Sequence, residues 1–423
     1  MKRYLFFLRA YNDTDNIAPA IYFLLRDDPN LKITLFYYSL DFDFRGDENL
    51  TFLDKEFGDR ITVDWMGTRL GMKPDLLFKE GVIGKIYDTY ERFCPARRSF
   101  HAVLDNHKFP PARRREIIRS LLHDDGFPAL VIFDQNRTHN VGGLLRELRA
   151  EGVKNIISLP VSPFVNTNVL RSTRFDTLDH SFFDMMHNYS GFDKVSVTDG
   201  HYLRNLEKTF GLLGKPSPLK ERGVALGSIR YCPEWLEIKQ QLYLPFIKPT
   251  KRRAKLVFFM SQPHANTFWD EVLRTIKFLG FFPEIEVVIK PHTRPFGGQL
   301  RALPDNMSVE SSIPSSALID WADICMFWST SVALEAYVKN KIPLCLDYLN
   351  ANRIIFTDYD AGWILKCRDD LHEALSRLST DLNDLPYQQQ NIDDMLFAVI
   401  NSASKEKIPQ RYISFMAEQE KKA

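Results

Sequence analysis

The 423-residue chain is poor in the short motifs that announce common nucleotide and hydrolase sites. It has no GxxxxGK followed by Ser or Thr, which excludes a P-loop, and no GxGxxG, which argues against an NAD enzyme. It has no GxSxG, the strained turn that would expose a hydrolase serine. Its five cysteines, Cys94, Cys232, Cys325, Cys345 and Cys367, are odd in number, and none forms a CxxC or a Cys/His group with zinc spacing. Cys325 and Cys345 sit inside apolar runs, so they read as reduced core residues of a cytoplasmic protein. Charge of one sign is missing too. The net charge is +1, with 55 basic and 54 acidic residues, so no global field argues for nucleic acid. The apolar run in MKRYLFFLRAYNDTD is too short for a signal peptide, and no run reaches about 18 apolar residues, so no membrane span is expected.

What the chain does have is apolar content of 44%, charged content of 26% and a generous 32 Phe, the composition of a globular protein with large cores. At this length two or three domains are expected. Short apolar runs alternate with amphipathic segments. KRYLFFLRA, KITLFYYS, RITVDWM, PALVIFDQN, NIISLP, KVSVTD and GVALGS read as strands. NDTDNIAPAIYFLLRDD reads as a loop followed by a helix over Ile17–Leu25. A second alternation begins after a proline-bracketed helix and the basic stretch KPTKRRAK, with AKLVFFMSQ, EIEVVIKPH, MSVES, DICMFW and IPLCLDY as strands. The pattern predicts an α/β protein of two Rossmann-like, doubly wound domains facing a cleft. The expected boundaries are 1–232 with a helical excursion near 76–123, a linker over 233–254, a second domain over 255–400, and a helical tail over 401–423.

Open parallel sheets bind ligands beyond the carboxyl ends of their strands, and clefts between domains are preferred pockets. In the second domain those ends gather cations and hydroxyls. EIEVVIKP leads to Lys290, His292 and Arg294, and KLVFFM leads to Ser261. DICMFW leads to Ser329, Thr330 and Ser331 at the start of a helix, where one hydroxyl suffices as a cap and the others are free to meet an anion. Glu335 lies four residues after Ser331, on the same helix face, outside the capping-box spacing. It has two readings: a ribose contact beside a bound phosphate, or an i,i+4 pair with Lys339.

KPH after a strand, then strand, STS, helix and Glu about 35 residues on, resembles the donor half of GT-B-fold transferases. The branch it looks most like contains CDP-glycerol glycerophosphotransferases and capsule β-Kdo transferases, and ALGSIRYCPEW (Ala225–Trp235) is similar to the segment closing their first domain. The resemblance implies that His292 contacts the donor phosphate or nucleotide, that Ser329–Ser331 bind phosphate and that Glu335 binds ribose. The chain departs from the pattern in having Pro291-His292 rather than His-Pro, and SLPVSPFVNTN where the family often carries His-Gly. No catalytic histidine carries over to that place.

The first domain is then expected to hold the acceptor. The loop after its first strand offers Arg9, Asn12, Asp13, Asp15 and Asn16, and Asp13 or Asp15 either takes a proton from an acceptor hydroxyl or caps the next helix. ALVIFDQNRTHN supplies Asp134, Asn136, Arg137 and His139, and a third group is Asp199-Gly200-His201. Asp13, Asp15 and His139 are the catalytic candidates, with Arg9, Asn12, Asp134 and Arg137 on the acceptor side. The expected activity is transfer of a sugar or alditol phosphate from a CMP-, CDP- or UDP-linked donor to a glycan or lipid-linked acceptor, with surface-polysaccharide building implied by the resemblance alone. Lys290, His292, Arg294 and the helix near Ser329 would stabilise the leaving nucleotide, so no metal or other cofactor is expected. The same layout serves non-hydrolysing nucleotide-sugar epimerases, with Asp13, Asp134 or Glu310 as carboxylates, and would also serve an inactive nucleotide-sugar-binding protein. Membrane contact would be peripheral, at the inner face, through Arg113–Arg119 or the basic linker, if those are not merely solvated faces.

Overall fold

The computed structural model describes residues 2–9, 11–38, 44–69, 71, 111–123, 126–134, 139–160, 163, 165–167, 189, 191–212, 216–217, 219–261, 266–292 and 303–422. The first half runs β1 (Lys2–Leu8), α1 (Tyr11–Asp27), β2 (Leu31–Tyr37), α2 (Glu48–Phe57), β3 (Ile61–Trp65), α3 (Met66–Arg69), α4 (Pro111–His123), β4 (Leu130–Asp134), α5 (His139–Ala150), β5 (Ile156–Leu159), β6 (Lys194–Val197), α6 (Gly200–Leu212), α7 (Leu219–Arg222), β7 (Gly223–Ala225) and α8 (Pro233–Lys239). The second runs β8 (Ala254–Phe259), α9 (Trp269–Leu279), β9 (Ile285–Lys290), β10 (Met307–Val309), α10 (Ser315–Trp321), β11 (Ile324–Phe327), α11 (Ala333–Val338), β12 (Ile342–Leu346), α12 (Ile355–Asp358), β13 (Trp363–Leu365), α13 (Arg368–Leu378), α14 (Gln389–Val399) and α15 (Ile408–Glu420).

These strands form two wholly parallel sheets. The first has the order β3-β2-β1-β4-β5-β6-β7 and the second β10-β9-β8-β11-β12-β13. Each is doubly wound, with the order reversing once: between β1 and β4 in the first sheet, between β8 and β11 in the second. Strands next to these reversals are covered on both faces, which is why they read as unbroken apolar runs rather than alternating ones. Leu5, Phe6, Phe7, Val131, Ile132 and Phe133 are fully buried, and Phe7 stacks on Phe133 with ring centroids 4.6 Å apart. Each such Phe contributes about 1.5–3 kcal/mol of burial.

The first helix departs from the sequence reading. It begins at Tyr11 rather than near Ile17, so NDTDN is helical. Pro19 lies inside it and has no N–H to offer the carbonyl of Asp15, while the Asn, Asp and Thr of its first turns are residue types that favour turns and caps. The chain passes between the sheets through Leu226–Tyr231. Gly227 is held at φ 91° against the Ile400 carbonyl, where a Cβ would sit 2.8 Å from that oxygen. Ser228 N–H donates to the same carbonyl at 2.8 Å.

The tail does not trail. α15 lies against α1 of the first domain: Tyr412 donates to the Gly227 carbonyl at 3.1 Å, Tyr4 donates to Glu420 at 3.0 Å, and Lys2 pairs with Glu420 at 2.6 Å. Among the described residues no helix is long and apolar enough to cross a membrane. The two basic segments are largely matched to carboxylates. Arg115 and Arg119 of α4 pair with Glu147 of α5 and Glu151 just after it, each at 2.8 Å, and Lys248 and Arg252 of the linker converge on Glu286 at 2.6 and 2.8 Å. Cys232, Cys325 and Cys345 are buried free thiols, Cys367 is exposed, and Cys94 lies outside the described residues.

Candidate functional site

The carboxyl edges of the two sheets face one another. Asn166, which follows β5, reaches the hydroxyl of Ser329, which follows β11. His201, which follows β6, reaches the hydroxyl of Tyr359, which follows α12, at 2.8 Å. A short antiparallel bridge joins Asn166 to Ile354, and Thr167 N–H donates to the Arg353 carbonyl at 2.8 Å. Both reversal points therefore open toward a common cleft, where the topology of such sheets puts ligands.

On the second sheet the reversal lies between Ser261 and Ser329. Ser261 is buried, and its hydroxyl donates to the Ser329 carbonyl at 2.7 Å. A serine has a single hydroxyl proton. Ser261 spends its proton on that carbonyl, and the Ser329 hydroxyl is drawn to the Asn166 amide oxygen. Ser331 lies 3.5 Å from the Tyr231 hydroxyl, and Thr330 is half-buried beside it. The expected serine cap is replaced: α11 starts behind Val332, whose side chain cannot cap, while the Ser329 hydroxyl reaches Asn166 across the cleft and the Ser331 hydroxyl approaches Tyr231.

Lys290 ends β9 with its ammonium buried against the carbonyls of Ser311 and Ile313, both at 2.6 Å. Burial pulls its pKa below the ordinary lysine range. The charge thus pins the 311–313 turn. His292 is half-buried at the mouth of the same edge, and Arg294 lies outside the described residues. Glu335 is almost wholly buried, with Lys239 of α8 and Lys339 each 3.2 Å away. Burial would raise its pKa, but the two ammonium groups outweigh it and hold the carboxyl at about 2. The i,i+4 pair with Lys339 forms, in the interior rather than on the surface, and Lys239 joins it from the segment that crosses between domains.

On the first sheet, Asp134 ends β4 fully buried, accepting from Tyr38 at 3.3 Å. Asp13 and Asp15 lie in the first turns of α1 and part company. Asp13 accepts the Arg9 N–H at 3.1 Å, while Asp15 pairs with Arg230 of the crossing segment, which also donates to Asn16 at 3.3 Å. The two carboxylates, two residues apart, therefore have separate partners. Arg9 is exposed. Asn12 and His139 are placed in α1 and α5 by their backbones, while their side chains, and Asn136 and Arg137 altogether, lie outside the described residues. Asp199 caps α6, accepting from Tyr202 N–H and from Thr198, both at 2.8 Å.

Sequence reasoning missed Asn166, Tyr231, Arg230 and Lys239, which bring the facing groups to the cleft. The only sign of them was the polar NTN after the fifth strand and the Arg-Tyr pair inside Ala225–Trp235.

No family model and no curated protein matches the chain. Solved structures do match over the whole chain. The UDP-GlcNAc 2-epimerase from Neisseria meningitidis, bound to UDP-GlcNAc, is 13% identical with a TM-score of 0.55, covering 100% of each chain. Arabidopsis thaliana UGT89C1 complexed with UDP is 12% identical with a TM-score of 0.57, covering 99% of this chain and 100% of its own. CalG4, the calicheamicin glycosyltransferase, is 15% identical with a TM-score of 0.51, covering 99% and 98%. The fold is GT-B. At such identities the likeness extends to the fold alone, two Rossmann-like domains about one cleft.

Proposed function

We propose that the protein is a nucleotide-sugar enzyme of the transferase kind, moving a sugar or alditol phosphate from a nucleotide-activated donor to an acceptor hydroxyl. The observation that carries this reading is the facing of two sheet reversals across one cleft, one rich in hydroxyl and cationic groups, the other holding buried carboxylates. Two structural neighbours are complexes with UDP-GlcNAc and with UDP, which supports a nucleotide-sugar donor.

In this reading the donor's phosphate lies at the β8/β11 reversal, met by His292, Thr330 and the backbone of the 329–332 turn. Ser261 and Ser329 shape that turn, because their protons are directed elsewhere. Lys290 holds the adjoining 311–313 turn and adds positive potential without direct contact. The acceptor lies over the β1/β4 reversal, where Asp13 or Asp134 takes the proton of the attacking hydroxyl as the bond to the nucleotide breaks. The acceptor class, a glycan or lipid-linked glycan in surface-polysaccharide synthesis, is supported by the resemblance of the KPH and STS segments.

Epimerisation is the second reading, because an epimerase is among the structures of the same fold. Incubation with UDP-, CDP- and CMP-linked donors separates the two. Free nucleotide, increased by acceptor, is expected for transfer. Interconversion of the sugar without an acceptor would replace transfer by epimerisation, and UDP binding without turnover would leave a binding protein. His292→Ala and Thr330→Val should each weaken nucleotide binding roughly tenfold, the loss of one charge-assisted or well-placed hydrogen bond. Unchanged affinity in both would sink the site assignment.

A further inference from the structure

A second concavity lies in the cleft, bordering the β8/β11 reversal at Asn166. It is a cavity of about 170 Å³ between α6 of the first domain and the Arg353–Asp358 segment of the second. From α6 come His201, Arg204 and Lys208, at a spacing that puts them along one helix face. Arg353 closes the other side, and Asn166 and Thr167 line it where the antiparallel bridge holds the two halves together.

The charge of this cavity is one-sided. Asp358 is the one carboxylate on its wall among the described residues, and Arg353 already holds it. Arg204 and Lys208 have no ion-pair partner among the described residues. That sets them apart from Arg115, Arg119, Lys248 and Arg252, whose charges are matched to carboxylates. Most surface cations are simply solvated. These two instead line one wall of a concave site whose opposite wall is the neutralised Arg353–Asp358 pair, and field lines concentrate in such a cleft. Thr167 Oγ1, on the same wall, is buried with no hydrogen-bond partner among the described residues. His201 donates to or accepts from Tyr359, and burial, followed by the nearness of Arg204, lowers its pKa, so the imidazole acts as a neutral wall.

We propose that this cavity is an oxyanion subsite that takes a phosphate or carboxylate carried by the second substrate, gripped by Arg204 and Lys208 of the first domain, with the Arg353–Asp358 pair closing the opposite wall. The assignment of that anion to an acceptor rests on the transferase reading above, whereas the binding of an oxyanion does not. An acceptor with such a group would be anchored by its charge, leaving its hydroxyl to be directed by the first domain's carboxylates.

Isothermal titration calorimetry at constant ionic strength, with inorganic phosphate and with glucuronate as probes and with UDP saturating the nucleotide site, tests this. Saturable binding of one or both probes is expected, and the tighter probe names the anion class. Arg204→Ala/Lys208→Ala should weaken it roughly tenfold or more per cation lost, while UDP affinity stays as in the unaltered chain. Arg204→Lys/Lys208→Arg, which keeps both charges, should retain binding, and Arg353→Ala should weaken it from the opposite wall. No saturable binding in the unaltered chain, or equal affinity in the double alanine variant, would overturn the subsite. Failure of UDP, CDP and CMP alike to bind would instead remove the nucleotide-sugar reading, and the anion titration, run without nucleotide, would still decide the subsite.

Discussion

Glu335 shows how far one residue's role depends on what is packed around it. In the sequence its visible partner was Lys339, four residues on, a pairing worth about 0.2–0.5 kcal/mol on an exposed helix. In the fold it is buried and also meets Lys239, 96 positions away. Removing the charge strands the Lys239 ammonium in a low-dielectric site, while Lys339 keeps Asp320 at 2.7 Å, so Glu335→Gln should cost about 3 kcal/mol of stability by chemical denaturation. Its folded pKa, about 2, lies below the ordinary 4.5. A depressed carboxyl pKa means the stabilisation is complete above the unfolded value and fades as the pH falls through the folded one. Stability of the native chain should therefore decline between about pH 4.5 and pH 2, and the Gln variant should show a shallower loss over that window. A Glu335→Gln protein as stable as the parent would remove the buried pair from the account. Ser261 and Ser329 teach the same lesson: a hydroxyl beside a helix start looks like an anion donor until its proton is traced.

At the scale of elements, α6 matters because it carries one wall of the proposed oxyanion subsite and owes its start to Asp199. Replacing a capping Asp by Ala costs about 0.5–2 kcal/mol, so Asp199→Ala should lower stability by that amount. It should also weaken phosphate or glucuronate binding without changing UDP affinity, which calorimetry reads directly. The strands were legible in sequence because doubly covered strands are continuous apolar runs, and β1, β4, β8, β9 and β11 stand where those runs predicted. The beginning of α1 was not legible. Asn, Asp and Thr favour turns and caps, and Pro19 breaks the ladder, yet burial of Ile17, Ile21 and Leu24 against the first sheet overrides those local preferences. The strand-end rule located Ser261, Ser329, Lys290 and Asp134 at the cleft edges. It could not say which of their polar atoms were already engaged, because Asn166, Tyr38 and the 311–313 carbonyls that engage them are distant in sequence.

At the scale of the molecule, α15 is a structural part of the first domain. Tyr412 and Met416 are buried in the apolar cluster that includes Ile17, Ile21 and Trp235. One face of the second sheet, with Val257, Phe259 and Phe327, shares that cluster, but a chain ending before Ile408 should lose stability first in the first domain, while the second sheet keeps the core on its other face around Leu256, Phe258 and Ile289. Hydrogen exchange of such a truncated chain should show lost protection in β1 and α1 and retained protection in β8 and β11; equal protection throughout would show α15 to be dispensable. There is also a consequence for synthesis. Tyr4 bonds to a residue 416 positions later, so the first domain leaves the ribosome before the second yet is completed after it. Its exposed flank has to wait, through the making of an entire second domain, for thirteen residues at the far end of the chain. A chaperone that shields α1 during that interval would raise the yield of folded protein without touching its final stability.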